Sequence, residues 1–219
     1  MTENILYYVQ DPMCSWCWAF RPAWNKIKEV LANFDTHPLS IQYIAGGLAP
    51  DTDEPMSADI REYVQWNWRR IQKKVPGTEF NYDFWDKCEP RRSTYAACRA
   101  VIAARQQGAQ YEDVMIHAIQ QAYYLKAKNP SNSDTLFECA TAIGLKQDHF
   151  LSAFQSHKIE QLLQEDIMLY HQLAAKVGIS GFPSLVLSLS DHLISVPIDY
   201  NQPFCSLDFI MDCLLINED

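Results

Sequence analysis

The sequence predicts an α/β protein in which two short strand-containing parts are separated by a long all-helical insertion. Strand patterns occur near the two ends of the 219-residue chain, at residues 5–10 and 39–45 and again after residue 183. Between them, apolar residues recur with helical spacing over most of residues 51–177. Glycine makes up only 7 of the 219 residues, which argues against an all-β protein rich in tight turns.

The first part is predicted to be a strand–helix–strand unit. Residues 5–10 are an apolar, β-branched and aromatic run, typical of a buried strand, and Asp11-Pro12 ends it. A helical pattern starts at Cys14, and residues 39–45 form the second strand. A right-handed βαβ unit is therefore expected.

The last part is predicted to be a hairpin followed by a helix. Residues 184–189 and 193–196 have strand patterns, and residues 190–192 suit a turn between them. Apolar residues from 207 to 215 then recur with helical spacing. We therefore assign residues 1–50 and 171–219 to one discontinuous domain that holds the strands, and residues 51–170 to the helical insertion domain. Ser57 is a suitable N-cap for the first helix of that insertion.

Composition and charge exclude several classes of protein. The net charge of −9 and the pI near 5.1 argue against nonspecific binding to nucleic acid or to an anionic membrane. No apolar stretch approaches the ~20 residues that a membrane-spanning helix needs. Seven cysteines, an odd number, do not form a secreted disulfide framework. Residues 1–4 show no signal-peptide pattern, so we expect a cytoplasmic protein unless a leader has been removed.

Cys14-Ser15-Trp16-Cys17 is the CxxC motif of this chain, and its position is informative. It follows a strand and opens a helix, where free N–H groups and the positive end of the helix dipole stabilise a thiolate. The second cysteine returns to the same face one turn later and can close a disulfide. These features predict thiol–disulfide exchange with Cys14 as nucleophile and Cys17 as resolving thiol. A zinc site is the weaker alternative, since two further ligands at a typical spacing are lacking, and no metal is expected.

A second motif, Gly181-Phe182-Pro183, lies directly before a predicted strand. Together with the CxxC motif and Pro22, five residues beyond its second cysteine, it resembles the thioredoxin-fold oxidoreductases. The wide helical segment before it resembles the DsbA family, in which a helical domain interrupts the thioredoxin fold. The resemblance implies that the Phe182–Pro183 bond is cis, faces the CxxC motif and, with Trp16, contacts an extended peptide substrate.

The stretch from Asp11 to Trp18 looks most like the cytoplasmic FrnE-like branch of that family. Ser15-Trp16 departs from the Pro-His of periplasmic DsbA and supplies no imidazolium to stabilise a thiolate. A disulfide less oxidising than that of DsbA is expected. Three roles are open for Asp11: a negative charge that disfavours the thiolate, a proton relay through water, or a cap of the turn before the helix.

Charge is distributed unevenly along the chain. Residues 61–105 contain ten basic and five acidic residues, although the whole chain is acidic. A solvated helical surface is the preferred interpretation; a cationic wall that favours acidic substrates or the Cys14 thiolate is the alternative.

Four tryptophans suggest either an aromatic substrate groove or core packing: Trp16, Trp18, Trp66 and Trp68. Cys98 and Cys139 lie on apolar stripes, whereas no context assigns a role to Cys88, Cys205 or Cys213.

The function predicted from these features is thiol–disulfide oxidoreductase or isomerase activity on protein or peptide thiols. No cofactor is expected beyond the redox-active Cys14–Cys17 pair, with glutathione a candidate reductant and partner. One alternative is a glutathione-dependent enzyme similar to the kappa-class glutathione transferases, which generally have serine at the position of Cys14. Another is a non-enzymatic peptide-binding module that uses the helical groove.

Overall fold

One mixed four-stranded sheet forms the centre of the computed structural model, which describes residues 4–33, 39–190 and 192–216. The strand order is β2-β1-β3-β4, with β1 parallel to β2 and antiparallel to β3. The strands are β1 (Asn4–Gln10), β2 (Leu39–Ala45), β3 (Ser184–Leu189) and β4 (His192–Val196). The predicted strands are thus confirmed to within one residue; residue 191 of the predicted hairpin turn lies outside the described residues.

The helices between β2 and β3 confirm the predicted helical insertion. Ser57 caps the first of them, because its side chain accepts a hydrogen bond from the Ile60 amide. The described helices are α1 (Ser15–Leu31), α2 (Ala58–Lys74), α3 (Phe84–Lys87), α4 (Tyr95–Arg105), α5 (Gln110–Tyr124), α6 (Ser133–Ala142), α7 (Gln147–Phe154), α8 (His157–Val177) and α9 (Pro203–Ile216). The predicted domain boundary at residues 170 and 171 falls inside α8, so the domain limits stay a prediction. No helix of the described residues has the length and apolar character to cross a membrane.

The sheet is covered on both faces. Leu6 and Tyr8 of β1 belong to a large core with Phe20 and Trp24 of α1. Because side chains alternate along a strand, Val9 faces the other way; it packs with Ile44, Val186 and Leu173, the last from α8. α1 therefore lies on one face of the sheet and α8 on the other, and the end of β1 leads directly into the start of α1.

An aromatic cluster joins the insertion to the start of α1. Trp68 of α2 is fully buried and stacks on Phe80, with ring centroids 4.7 Å apart. Its ring also meets Tyr124 of α5 edge-on, at 5.7 Å. The indole Nε1 donates a hydrogen bond of 2.9 Å to Ser15 Oγ, within the CxxC motif. A buried indole N–H needs such a partner, so this contact fixes the insertion against the motif.

A second link is an ion-pair network centred on Asp113 of α5. Arg21 Nη1 and Lys28 Nζ of α1 lie 2.8 Å and 2.5 Å from the two carboxylate oxygens of Asp113. The Tyr43 hydroxyl of β2 donates to the same carboxylate at 3.0 Å. Arg21 is 6% exposed. Removing the Asp113 charge would therefore leave a buried guanidinium without its partner.

Replacing Asp113 by Asn is expected to lower the free energy of unfolding at neutral pH by about 1.5–3 kcal/mol, the range for hydrogen bonds to charged groups. Burial alone would raise the pKa of Asp113, but Arg21 and Lys28 lower it below its usual value. A lowered folded-state pKa stabilises the fold above the unfolded-state pKa of about 4, and this stabilisation is lost as the pH falls through the lower folded-state value. Chemical denaturation of both proteins at a series of pH values measures the difference.

Glu138→Gln is the matched control, because its ion pair with Lys128 lies on the surface, where the partners are 58% and 45% exposed. We expect a loss of no more than about 1 kcal/mol for this variant. Equal losses in the two variants, or a loss in Asp113→Asn that persists below the folded-state pKa of Asp113, would contradict the role given to Asp113.

Candidate active site

Cys14 occupies the N-cap position of α1. A turn follows β1, and the Cys14 amide donates to the Asp11 carbonyl at 3.0 Å. The Cys14 carbonyl in turn accepts from the Trp18 amide at 3.1 Å, which makes it the first acceptor of the helix. The sulfur therefore lies where the unpaired N–H groups of the first turn are concentrated.

The two cysteines of the motif differ in access. Cys14 is 7% exposed and lines a cleft, whereas Cys17 is fully buried. Neither is in a disulfide, and their side chains are within hydrogen-bond contact. Burial raises the pKa of the Cys17 thiol well above its ordinary value, and the neighbouring Cys14 raises it further. Of the two sulfurs, only that of Cys14 is accessible to a substrate in the cleft, and the buried Cys17 thiol contacts Cys14 from the protein interior.

Phe182 is brought to Cys14 from the other end of the chain. The Cys14 thiol donates a 3.5 Å hydrogen bond to the Phe182 carbonyl, and the Phe182–Pro183 peptide bond is cis. Phe182 lines the cleft, while its ring lies over Gly46. A Cβ atom at Gly46 would come within 2.0 Å of Phe182 Cε1, so this close approach requires glycine.

The Asp11 carboxylate organises the turns around the motif. It accepts hydrogen bonds from the Met13 and Leu48 amides at 2.8 Å and from the Thr94 hydroxyl at 2.7 Å. The Cys98 thiol is a further donor, at 3.5 Å. Burial raises the pKa of Asp11, although these hydrogen bonds oppose the shift. These contacts fit the capping role, and no side-chain hydrogen bond between Asp11 and the CxxC sulfurs is found among the described residues.

The cleft beside Cys14 has a volume of about 310 Å³. Trp16, Phe182 and the side chains of α2 form part of its lining. Three arginines, Arg70, Arg91 and Arg92, also line it, but no aspartate or glutamate from the described part of the chain does. Part of the positive segment noted in the sequence is thus brought to the candidate active site.

The four tryptophans divide between the two predicted roles. Trp16 lines the cleft and packs against Tyr200, with ring centroids 5.3 Å apart. Trp68 is buried in the aromatic cluster, and Trp18 stacks on Tyr124 at 5.6 Å. Trp66 lies on the outer surface of α2 and is 48% exposed. The cleft therefore uses one of the four tryptophans.

The cysteines outside the CxxC motif differ in burial. Cys98 and Cys139 are buried, and Cys205 is exposed. The hydrogen bond from Cys98 to Asp11 was not predicted, because the two residues are 87 positions apart and Cys98 lies on an ordinary apolar stripe. Among the described residues there is no cluster of three or more metal-ligating side chains.

A family model described as thioredoxin matches residues 7–193. The chain belongs to this thioredoxin family. A Nitrosomonas europaea protein, provisionally described as a protein disulfide isomerase, is 25% identical and superposes with a TM-score of 0.83, with both chains fully covered. These matches confirm the predicted DsbA-like thioredoxin fold with a helical insertion.

Two further comparisons concern relatives of this thioredoxin-family protein. The cytosolic disulfide reductase DsbM from Pseudomonas aeruginosa is 24% identical, with a TM-score of 0.76 over 97% of this chain and 99% of that one. DsbM has also been solved with GSH. The ClpXP adapter protein SpxH from Halalkalibacterium halodurans is 26% identical over 74% of this chain, which spans about half of that relative's length (52%).

The difference in access predicts which cysteine of the thioredoxin-family protein is alkylated. In the reduced protein, iodoacetamide should modify Cys14 at least about tenfold faster than Cys17, because Cys17 is buried and its pKa is raised. Mass spectrometry of peptides after timed quenching gives the two rates. Cys205→Ser is the appropriate background, since Cys205 is exposed and reacts as well.

A Cys14→Ser variant in the same background is the control, and its Cys17 should stay slow. Modification of Cys17 at a rate equal to or above that of Cys14 in the folded protein would show that the assignment of nucleophile and resolving thiol is wrong.

Proposed function

We propose that this protein is a thiol–disulfide oxidoreductase that acts on protein or peptide disulfides, with Cys14 as nucleophile and Cys17 as resolving thiol. The observation that carries the proposal is the arrangement of the two sulfurs. Cys14 opens into a cleft at a helix N-terminus, and Cys17 is buried in contact with it. Thiol–disulfide exchange needs an accessible thiolate and a second thiol that only the first can reach.

In the proposed reaction, the Cys14 thiolate attacks one sulfur of the substrate disulfide. A mixed disulfide forms, and the other substrate sulfur leaves as a thiolate that takes up a proton. Cys17 then loses its proton and attacks Cys14 Sγ, which releases the second substrate thiolate and leaves the Cys14–Cys17 disulfide. The substrate gains two electrons, and the enzyme loses them. Two molecules of glutathione restore the dithiol and become glutathione disulfide.

Reduction in the cytoplasm is the proposed direction. The Cys14 thiol donates a hydrogen bond to the Phe182 carbonyl, and this neutral neighbour brings no positive charge to the sulfur. Ser15 Oγ accepts from Trp68 and supplies no positive charge. The similarity to a cytosolic disulfide reductase that has been solved with GSH supports both the compartment and glutathione as reductant. The Cys14–Cys17 pair is the redox group proposed, with no further cofactor.

The segment before β3 is proposed to contact the peptide substrate. β3 pairs with β1 from Ser184 to Ser188 and with β4 from Leu185 to Leu189, so both of its edges are filled over most of its length. Phe182 lies just before this ladder and in the cleft, where its backbone remains next to Cys14. An extended peptide would therefore pair locally at Phe182-Pro183, beside Trp16. Asp11 holds the two loops that border this place.

Insulin reduction in the presence of dithiothreitol tests the proposed activity. Wild type should accelerate the precipitation of insulin chains, and Cys14→Ser should abolish the acceleration, because the first mixed disulfide cannot form. In a separate incubation with insulin after dithiothreitol has been removed, the reduced Cys17→Ser variant should accumulate that mixed disulfide, since the resolving thiol is missing and no other reductant cleaves it. Turbidity gives the rate, and non-reducing electrophoresis detects the accumulated species.

Cys205→Ser is the control for the loss of an accessible thiol elsewhere, and it should retain the wild-type rate. A transferase or a non-enzymatic peptide-binding protein would leave insulin reduction at the rate of dithiothreitol alone in every variant. An unchanged rate in Cys14→Ser would contradict the assignment of the nucleophile.

The reduction potential is expected to be well below the value of about −120 mV that is typical of DsbA, since Ser15-Trp16 places no imidazolium between the two cysteines to stabilise the reduced form. Equilibration with mixtures of reduced and oxidised glutathione, followed by acid quenching and alkylation, gives this potential. Ser15→Ala is the comparison variant, because it removes the acceptor of the Trp68 hydrogen bond. A wild-type potential close to that of DsbA would contradict the proposed direction.

A further inference from the structure

The sign of the charge in the cleft is opposite to that of the whole protein. The chain has a net charge of −9, yet the residues that the structure describes around Cys14 line its cleft with Arg70, Arg91 and Arg92 and with no carboxylate. Arg70 comes from α2, and the other two arginines come from the segment before α4. Two separate parts of the insertion thus place guanidinium groups around the same cleft as the candidate nucleophile.

These positive charges are not compensated within the described part of the molecule. Arg21, Arg99 and Arg105 each form an ion pair with a carboxylate. Among the described residues, by contrast, no carboxylate lies within ion-pair distance of Arg70, Arg91 or Arg92. A guanidinium is always charged and binds carboxylates in a planar, bidentate geometry.

Neutral groups hold two of these side chains in position. The Arg70 guanidinium lies 5.8 Å from the Trp16 ring and 5.4 Å from the Trp66 ring. Arg91 Nη2 donates to the Ser131 carbonyl at 2.8 Å. Such contacts orient a guanidinium without neutralising it, so its charge remains available to an incoming anion.

We propose that Arg70, Arg91 and Arg92 are specificity-determining residues that select disulfides whose reacting cysteine is flanked by carboxylates. The proposal rests on the proposed function, because it names the substrate class of the same site. The preferred substrate is an acidic peptide or an acidic protein segment. The cleft of about 310 Å³ is at the small end of ligand sites, which limits the selection to residues close to the reacting cysteine.

The charge also determines how this selection depends on salt. Carboxylates next to the substrate disulfide are attracted to the cleft during association, whereas lysines are repelled. The Debye length shortens from about 30 Å at 0.01 M salt to about 3 Å at 1 M salt. A preference that comes from the arginines must therefore weaken as the ionic strength rises, while a preference that comes from shape must persist.

Three peptide disulfides that differ only in charge provide the test. Each is a short peptide with one cysteine linked to mercaptoethanol, and the residues flanking that cysteine are Asp, Asn or Lys. Single-turnover reaction with the reduced enzyme gives a second-order rate constant for each peptide. This constant is divided by the rate constant of dithiothreitol with the same peptide, which removes differences in the intrinsic reactivity of the three peptide disulfides. We expect the acidic peptide to exceed the basic one by about tenfold or more at low salt, and the ratio to approach one at high salt.

Arg70→Gln and Arg92→Gln identify the groups responsible. Both residues are exposed, so their replacement should leave the fold intact, as checked by circular dichroism. In each variant the rate with the acidic peptide, divided by the rate of the same variant with the Asn peptide, should fall about two- to fivefold below the wild-type ratio. Arg92→Lys should retain the preference. Lys73→Gln, which removes one charge from the same helix outside the cleft, should change none of these rates.

An equilibrium measurement separates this proposal from the proposed function. The same three peptides with S-methylcysteine cannot exchange disulfides, and calorimetry gives their affinities for the wild type and the variants. Tighter binding of the acidic peptide that is lost in Arg70→Gln and Arg92→Gln supports the charge selection even if no disulfide reacts with Cys14, a result that would reject only the proposed function. Equal binding of the three peptides, or an effect of Lys73→Gln as large as that of the arginine variants, would overturn the selection.

Discussion

The start of α1 has to be packed on one side and open on the other, and the rest of the active site depends on this constraint. A dithiol whose sulfurs were both accessible would react with any oxidant, and one with both buried would react with nothing. The structure places the first cysteine, 7% exposed, in the wall of a cleft at the helix N-cap and buries the second fully in the helix. The sheet supplies the packing beneath α1, and the insertion supplies it at the side.

The insertion therefore does more than lengthen the chain. Trp68 donates to Ser15 inside the CxxC motif, and Asp113 holds two cations of α1. Both contacts come from residues far along the chain, and both act on the first helix. Breaking either contact would leave a buried polar group without its partner. The two contacts therefore hold α1 and the insertion in place against each other. The same insertion brings the arginines to the cleft.

Several features could be predicted from sequence because they depend on residues close together in the chain. The strand pattern of residues 39–45 predicted β2 with its bounds as observed. Ser57, three residues before Ile60, predicted a helix cap that the structure contains. α3 was not predicted, since four residues are too few for a helical pattern to be visible. Spacing alone also defined the CxxC motif.

The sequence by itself determined the strands, the helical insertion, the dithiol at a helix start and the presence of a positive segment, because period, capping and motif spacing are local properties. Only the tertiary structure decided that Cys17 is buried and that the Cys98 thiol contacts Asp11. It also decided that Arg70 and Arg92 line the same cleft as Cys14 while Arg99 and Arg105 pair with carboxylates. Burial and ion pairing are set by residues tens of positions apart, and a one-dimensional pattern does not contain those distances.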